Sequence, residues 1–505
     1  MARIALIKIF TGLNLAPAQL SGELQRAGHS SRIIYFKDHH IVDYDQCGDY
    51  EITDYPGIFT AADGLKKVWN CYKPFSDKEY RLLIGDLQEF KPDAIGLSVV
   101  SGIIREAGIV TQKLREYFPV PFIWGGPGPT LEPERCMAIA DLVCINEGEE
   151  VIVDLANRLD AQEDISDIPG TWAKKKDGTL VRNPERPLLK LDDLAIPDWQ
   201  LEHYVHINNF KGRRTGIYPH NLKREYPIMT QRGCPFSCSF CIESRYQDMF
   251  GKKNSLRRRD IDLVLQELHW AKKNLDIESV LFYDEVFTVN PRWLDEFLPR
   301  YRDEIGLPFW CYTYPTTHTP ELLRQLKDAG MVSITMGIQS GSERILKEHF
   351  NRPTAITRVL KAAQEIVDLG SDVRGFFDLI SKVPFETEDD LRGTFNFLLE
   401  LPKPIKMLGI AEMTNFPTYD YTRQVDERDS LLASDAVQSK KDSIGKMLGQ
   451  SDYDYYHKLY LLTRTDMPVE ELRAIGGDPS YRQQPELLDA YLTIKPSISF
   501  TGISF

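Results

Sequence analysis

Gln231-Arg232-Gly233-Cys234-Pro235-Phe236-Ser237-Cys238-Ser239-Phe240-Cys241 is the stretch on which the reading of this chain turns. It follows Tyr226 to Thr230, a short apolar run with the length and composition of a strand. It gathers three of the chain's eight cysteines into eight positions, spaced Cys-x3-Cys-x2-Cys. Eight cysteines in 505 residues do not make a disulfide scaffold, so the crowding points to metal. The alternatives at this point are a zinc site and three cysteines that are merely neighbours. Structural zinc normally takes four protein ligands, and no fourth Cys or His lies close in sequence.

Working outward, strands are predicted near 226–230, 278–283, 308–314, 332–337, 373–380 and 405–411. Helical patterns separate them at 260–273, 293–302, 320–329, 356–368 and 387–401. Six β/α units of this kind predict an open, partial (β/α)6 barrel over 225–425, with its chemistry at the carboxyl ends of the strands. Residues 426–505 read as a mostly helical, Tyr-rich capping region without a motif. Upstream, 184–224 carries prolines at 184, 187, 197 and 219 and little periodicity, which suits a linker. Over 171–182 two short runs flank Asp177-Gly178, a hairpin signal, and read as a small antiparallel appendix. Before that, strands at 3–9, 32–36, 93–99, 120–124 and 141–145 alternate with helices, and 38–77 is a less regular insert. This alternation predicts a doubly wound, Rossmann-like α/β domain over 1–183 whose ligand sits at the carboxyl ends of its strands.

A net charge of -13 and a pI near 5.4 argue against a nucleic-acid partner, which rests on clustered Lys and Arg. A local basic run such as Arg257, Arg258 and Arg259 reads as a solvated helix start. The first ten residues are too short and too charged for a signal peptide, and no stretch has the apolar length of a membrane span, which places the protein in the cytoplasm.

The Cys234, Cys238, Cys241 spacing, the aromatic Phe240 before the last cysteine and the position at the top of a first barrel strand resemble the radical S-adenosylmethionine (SAM) superfamily. The resemblance implies a 4Fe-4S cluster on the three thiolates, whose fourth iron is left for the amino and carboxylate groups of SAM. Cleavage of SAM then gives a 5'-deoxyadenosyl radical, with the protein positioning the cofactors and excluding water. Tyr283-Asp284-Glu285-Val286-Phe287-Thr288 looks like the acidic loop that takes the SAM amino group, with Asp284 and Glu285 as acceptors. Gly337-Ile338-Gln339-Ser340-Gly341-Ser342-Glu343 is similar to the ribose-contacting segment, with Gln339 where many relatives have Glu and with Ser340 beside it; Phe240 completes the SAM contacts. At the fifth strand Lys382-Val383-Pro384 replaces the usual Gly-x-Pro.

The front domain resembles the cobalamin-binding domain found ahead of many radical SAM barrels. The contacts it implies are Thr11 and Gly12 after the first strand, Ser98 and Val99 after the third, Gly125, Gly126 and Pro127, and Glu147, Gly148 and Glu149. Glycine at strand ends lets backbone approach a large ligand. The usual Asp-x-His-x-x-Gly place reads Phe10-Thr11-Gly12-Leu13, so no histidine is expected below cobalt. Asp38-His39-His40 reads as a polar loop. The cysteines at 47, 71, 136, 144 and 311 repeat no cluster spacing.

This resemblance, over about residues 1 to 425, implies a cobalamin-dependent methyltransferase acting on an unactivated carbon of a small-molecule, lipid or peptide substrate with two SAM per turnover. It also implies an external electron donor such as flavodoxin or ferredoxin. A radical SAM oxidative cyclase or rearrangement enzyme shares the domain order and is the rival. A cluster- or cobalamin-based sensor is the remote alternative, since a binding module has no need of an open iron beside SAM-type loops.

Overall fold

Parallel strands are covered on both faces and therefore read as continuous apolar runs, which is how the strands of this chain are written. The protein, described from a computed structural model covering residues 1–10, 15–61, 63–175, 177–216, 225–433 and 448–492, builds two such sheets. They lie in two compact units, Met1–Pro56 with Trp69–Leu222 and Phe416–Thr418, and Gly57–Val68 with Lys223–Asn415 and Tyr419–Phe505.

The strands of the first unit are β1 (Arg3–Ile9), β2 (Ser30–Phe36), β3 (Ala94–Ser98), β4 (Phe122–Gly125), β5 (Leu142–Cys144), β6 (Thr171–Lys174), β7 (Leu180–Arg182), β8 (Tyr204–Asn208) and β9 (Gly212–Thr215). They lie in the order β7-β6-β5-β4-β3-β1-β2-β8-β9, and β1 to β5 are mutually parallel. Helices α1 (Ala16–Arg26), α2 (Asp77–Phe90), α3 (Ile104–Arg115) and α4 (Glu149–Ala161) supply the crossovers. On one face Ile7, Ile34, Leu97 and Trp124 pack on Leu83, Leu87, Val110 and Leu114 of α2 and α3. The α2 start is fixed by a capping box between Ser76 and Glu79.

Three segments differ from the sequence expectation. The 171–182 hairpin forms, with Gly178 at φ 85, but it is no appendix: β6 pairs antiparallel with β5 and extends the main sheet. Within the expected linker, β8 runs parallel beside β2; Tyr204, Val205 and Ile207 are buried, and proline-rich flanks hid a strand of only five residues. The irregular insert contains the hairpin strands Glu51–Ala61 and Lys66–Tyr72, whose tip belongs to the second unit.

In the second unit β10 (Tyr226–Ile228), β11 (Val280–Phe282), β12 (Phe309–Thr313), β13 (Met331–Gln339), β14 (Arg374–Ser381) and β15 (Lys406–Glu412) form six parallel strands in sequence order. The hairpin tip pairs antiparallel with β15, Thr60 opposite Ile410, so the sheet stays an open half-barrel. Outside it lie α5 (Ile242–Phe250), α6 (Ile261–Leu275), α7 (Pro291–Arg300), α8 (Pro320–Asp328), α9 (Ile356–Val367) and α10 (Glu388–Glu400). Phe282, Phe297, Tyr301 and Phe309 form an aromatic core under β11 and β12, with the Phe282 and Phe309 ring centroids 5.2 Å apart. The Tyr-rich segment becomes α11 (Gln450–Leu462), followed by α12 (Val469–Gly477). Its buried tyrosines dock on α10: the Tyr460 hydroxyl donates to the Leu391 carbonyl at 2.8 Å. No helix among the described residues is long and apolar enough to cross a membrane.

Candidate functional site

The cysteine loop leaves the carboxyl end of β10 and is braced on every side. Gln231 and Arg232 pair antiparallel with Arg258 and Arg257, and Gly233 turns the chain at φ 89 where a Cβ would meet the Ser255 carbonyl oxygen at 2.3 Å. Glycine is therefore required there. The Gln247 amide nitrogen donates to the carbonyls of Cys234 and Phe236, the latter at 2.9 Å, while its oxygen accepts from the Ser237 hydroxyl at 2.6 Å. The Ser239 amide donates to the Phe350 carbonyl at 3.1 Å, and Asn351 Nδ2 to the Ser237 carbonyl at 2.7 Å. Cys241 is the N-cap of α5, so the helix's positive end faces its sulfur. Burial pushes the Cys234 thiol up to about 12 and the Cys241 thiol higher still, with the Cys238 charge adding to both. Such thiols become thiolates only against a strong positive charge, which irons supply.

Asp284 and Glu285 follow β11 and go opposite ways. Asp284 is fully buried. It accepts from the Thr230 amide (2.7 Å), the Thr230 hydroxyl (2.5 Å) and the Gln231 amide (2.9 Å), with Arg258 Nη2 at 3.4 Å. These bonds take the amides of Thr230 and Gln231 out of the ladder, and β10 stops at Ile228 rather than Thr230 as expected. Arg258 is sequestered in this knot, its guanidinium 4.4 Å above the Trp293 ring, while Arg259 pairs with Glu267 at 2.7 Å. The basic run is thus a buried brace and not the solvated helix start the charge pattern suggested. Glu285 is exposed and hydrogen-bonds to nothing among the described residues.

The 337–343 segment divides in the same way. Ser340 is buried and its hydroxyl accepts the Ser342 amide at 3.1 Å; the Gly341 amide donates to Thr394 of α10 at 3.1 Å. Gln339, at φ 71, reaches Asp378 of β14, its Nε2 at 3.2 Å from Oδ1, and its buried Oε1 has no partner. Phe240 lies edge-on to Phe350, centroids 4.7 Å apart. On β12 the residues Phe309 and Cys311 are buried under the helices, so Trp310 and Tyr312, 5.2 Å apart, line the opposite face with the exposed Tyr283.

In the first unit Thr11 and Gly12 lie outside the described residues. Across the carboxyl edge Lys8 of β1 registers with Tyr35 and Ser98, and Ser98 with Gly125. A Cβ on Gly125 would meet, among the described residues, only the Cys144 Cβ at 3.6 Å, an ordinary contact. Gly126 differs: at φ 110 its Cβ would meet the Val99 carbonyl at 2.8 Å, and that carbonyl also accepts the Gly128 amide. Its glycine serves the protein's own turn. Pro127 opens the short helix after it, Gly148 caps α4, Glu149 is buried in the first turn, and Glu147 accepts the Leu189 amide at 2.8 Å. His39 packs its ring on Phe10, and His40 on Tyr50 and Phe210.

With this geometry in place, residues 228–398 match the radical SAM superfamily and residues 77–156 match the B12 binding domain. Together they define a class: a radical SAM domain with a B12-binding domain in front of it. Its cofactors are a 4Fe-4S cluster, SAM and cobalamin. The chain is 26% identical over 343 residues to an uncharacterized methyltransferase of Pyrococcus horikoshii, covering 67% of this chain and 69% of that one. It is 24% identical to an anaerobic magnesium-protoporphyrin IX monomethyl ester cyclase of Rubrivivax gelatinosus, covering 68% and 63%. The chain thus spans roughly two thirds of the length of these curated relatives. Its fold is that of the radical SAM methyltransferase TsrM of Kitasatospora setae with cobalamin and a 4Fe-4S cluster bound, at TM-score 0.60 and 16% identity over 85% of this chain and 75% of that one.

The residues fit these groups. Among the described residues no three His, Cys, Asp or Glu side chains converge on a single-ion site; a cluster asks for something different, each thiolate on its own iron. Beside the loop Glu243 Oε2 and Gln339 Oε1 are buried without a partner, the signature of a polar surface that awaits a ligand. Sequence reading missed Arg352, Gln247 and Asp378. Only Asp378 carried a signal, as the lone acid in the apolar run Gly375-Phe376-Phe377-Asp378-Leu379-Ile380.

Proposed function

We propose that this chain is a cobalamin-dependent radical SAM methyltransferase that places a methyl group on an unactivated carbon of a small-molecule, lipid or peptide substrate and uses two SAM per turnover. The observation that carries the reading is the braced loop of Cys234, Cys238 and Cys241 at the head of a half-barrel, in one chain with an α/β sheet of the B12-binding class. When bound, the cluster and SAM together supply hydrogen-atom abstraction, and cobalamin supplies methyl transfer. The protein's part is positional. The Gln247 bonds and the ribbon hold the three sulfurs, Cys241 presents them to a helix N-terminus, and Asp284 fixes the loop from below. Glu285, left unpaired and exposed, is the acceptor we assign to the SAM amino group; Gln339, with a free oxygen, is the one for its ribose. Tyr283, Trp310 and Tyr312 offer an aromatic wall to substrate. Ser98 and Gly125, side by side at the strand ends, are the residues we assign to cobalamin. An external electron donor such as flavodoxin or ferredoxin, and a cytoplasmic setting, belong to the same reading.

The cyclase relative shares the domain order and supports the second reading, oxidative cyclisation or rearrangement. Products separate the two. With the true substrate the methyltransferase forms S-adenosylhomocysteine and 5'-deoxyadenosine in near-equal amounts beside one methylated product. Formation of 5'-deoxyadenosine without S-adenosylhomocysteine would overturn the methyltransferase reading in favour of its rival.

A further inference from the structure

Arg352 is buried, 8% exposed, and both terminal nitrogens of its guanidinium have partners. Nη1 lies 3.6 Å from Cys238 Sγ and Nη2 donates to the Gly337 carbonyl at 2.8 Å. Its Cζ sits 4.5 Å from the centroid of the Tyr314 ring, which stacks on Phe236 of the cysteine loop with centroids 3.8 Å apart. The backbone is fixed as well: the Arg352 amide donates to the Leu346 carbonyl at 2.7 Å, and the neighbouring Asn351 side chain holds the Ser237 carbonyl. These contacts hold the planar guanidinium against the sulfur.

We propose that Arg352 is a positioning residue that sets the reduction potential of the cluster on Cys234, Cys238 and Cys241, by hydrogen-bonding the Cys238 sulfur and holding a fixed positive charge against it. Reduction adds one negative charge to the cluster. A buried donor on a ligating sulfur stabilises that reduced form more than the oxidised one, and net charge and hydrogen bonds to sulfur are the levers that set such potentials. The effect is amplified because the site is shielded from water. Removing Arg352 therefore makes the cluster harder to reduce.

The inference rests on the cluster assignment, and the test keeps the two apart: iron and sulfide content reports the assignment, and the midpoint of an anaerobic redox titration without SAM, followed by paramagnetic resonance, reports the role of Arg352. R352M with full iron content is expected to shift the one-electron equilibrium at least tenfold toward the oxidised form, a midpoint lower by about 59 mV or more. R352K, which keeps the charge but not the two-armed bond, is expected to fall between wild type and R352M. An R352M midpoint equal to wild type at full iron content overturns the proposal. If R352M holds no iron, R352K decides: a midpoint below wild type at full iron content supports the proposal, and one equal to wild type overturns it.

Discussion

Gly233→Ala tests whether the cysteine loop is held by packing rather than by its cysteines alone. The new methyl would stand 2.3 Å from the Ser255 carbonyl oxygen and 3.1 Å from the Leu256 Cα, on a backbone at φ 89. A left-handed conformation costs a non-glycine residue about 1–2 kcal/mol. Relieving the contact needs a movement of roughly 1 Å, and overpacking of this kind costs about 1–3 kcal/mol. Neither side yields easily. The Ser255 amide is bonded to the Gly251 carbonyl at 3.0 Å, and the chain just beyond it pairs Arg257 with Arg232, immediately before Gly233. The displacement is therefore passed to Cys234. We expect G233A to lose about 2–5 kcal/mol. The cluster-free protein should unfold several degrees lower, at about 2–4 °C per kcal/mol. After anaerobic reconstitution it should hold less than half the iron of wild type. Gly370→Ala is the control: φ is 92, but the nearest atom is the flexible Lys327 Nζ at 3.9 Å, so it has the backbone cost without the clash and should keep its iron. G233A protein with wild-type iron and wild-type SAM cleavage would refute the reasoning.

Two further predictions follow from the side chains. Glu285→Gln should weaken SAM binding roughly 10- to 100-fold, the loss of one charge-assisted bond of about 1.5–3 kcal/mol, with no change in thermal midpoint. Asp284→Asn should do the reverse, costing about 3–5 kcal/mol through the unpaired Arg258. Equilibrium dialysis with SAM and calorimetry check both, and exchanged phenotypes would reverse the roles given to the two acids. Stability should also fall in mild acid. Burial holds His457 at about 3 and His318 at about 4, against roughly 6.5 in the unfolded chain. Between those values the unfolded state binds more protons, so stability rises with pH up to about 6.5 and is lost below it. From pH 6.5 to 5 each histidine removes about 2 kcal/mol, and H457Q should flatten the pH dependence of the urea midpoint by that amount.

The six barrel strands and the five parallel strands of the front sheet were legible because both faces of each are covered, which leaves unbroken apolar runs that no loop would carry. The cysteine loop was legible from its spacing. What sequence did not give was the fate of single side chains: a charge run reads the same whether its arginines face water or, like Arg258 and Arg259, are clamped by Asp284 and Glu267. Arg352 was invisible for a related reason. It lies over a hundred positions from Cys238, and only the return of the chain after β13 brings it to the sulfur. Segment 204–208 was missed because five residues between prolines are too few to show a period.

The motif residues at these strand ends come in adjacent pairs with opposite fates. Asp284 is saturated and Glu285 is unpaired; Ser340 is spent on its own turn and Gln339 keeps a bare oxygen; Gly126 makes room for the Val99 carbonyl and Gly125 has room for a Cβ against Cys144. The cause is geometric. Where a strand ends in a turn, successive residues point to opposite sides, one into the protein and one out past the strand's carboxyl end. A motif marks the pair, because both members are needed for the loop to exist and to bind. Which member touches the ligand is decided by hydrogen-bond accounting: a buried polar group already matched by the protein has nothing left to offer, and one left unmatched is tolerated only where a ligand completes it. On that ground substitution of Asp284, Ser340 or Gly126 should read out as loss of fold, and substitution of Glu285 or Gln339 as loss of binding.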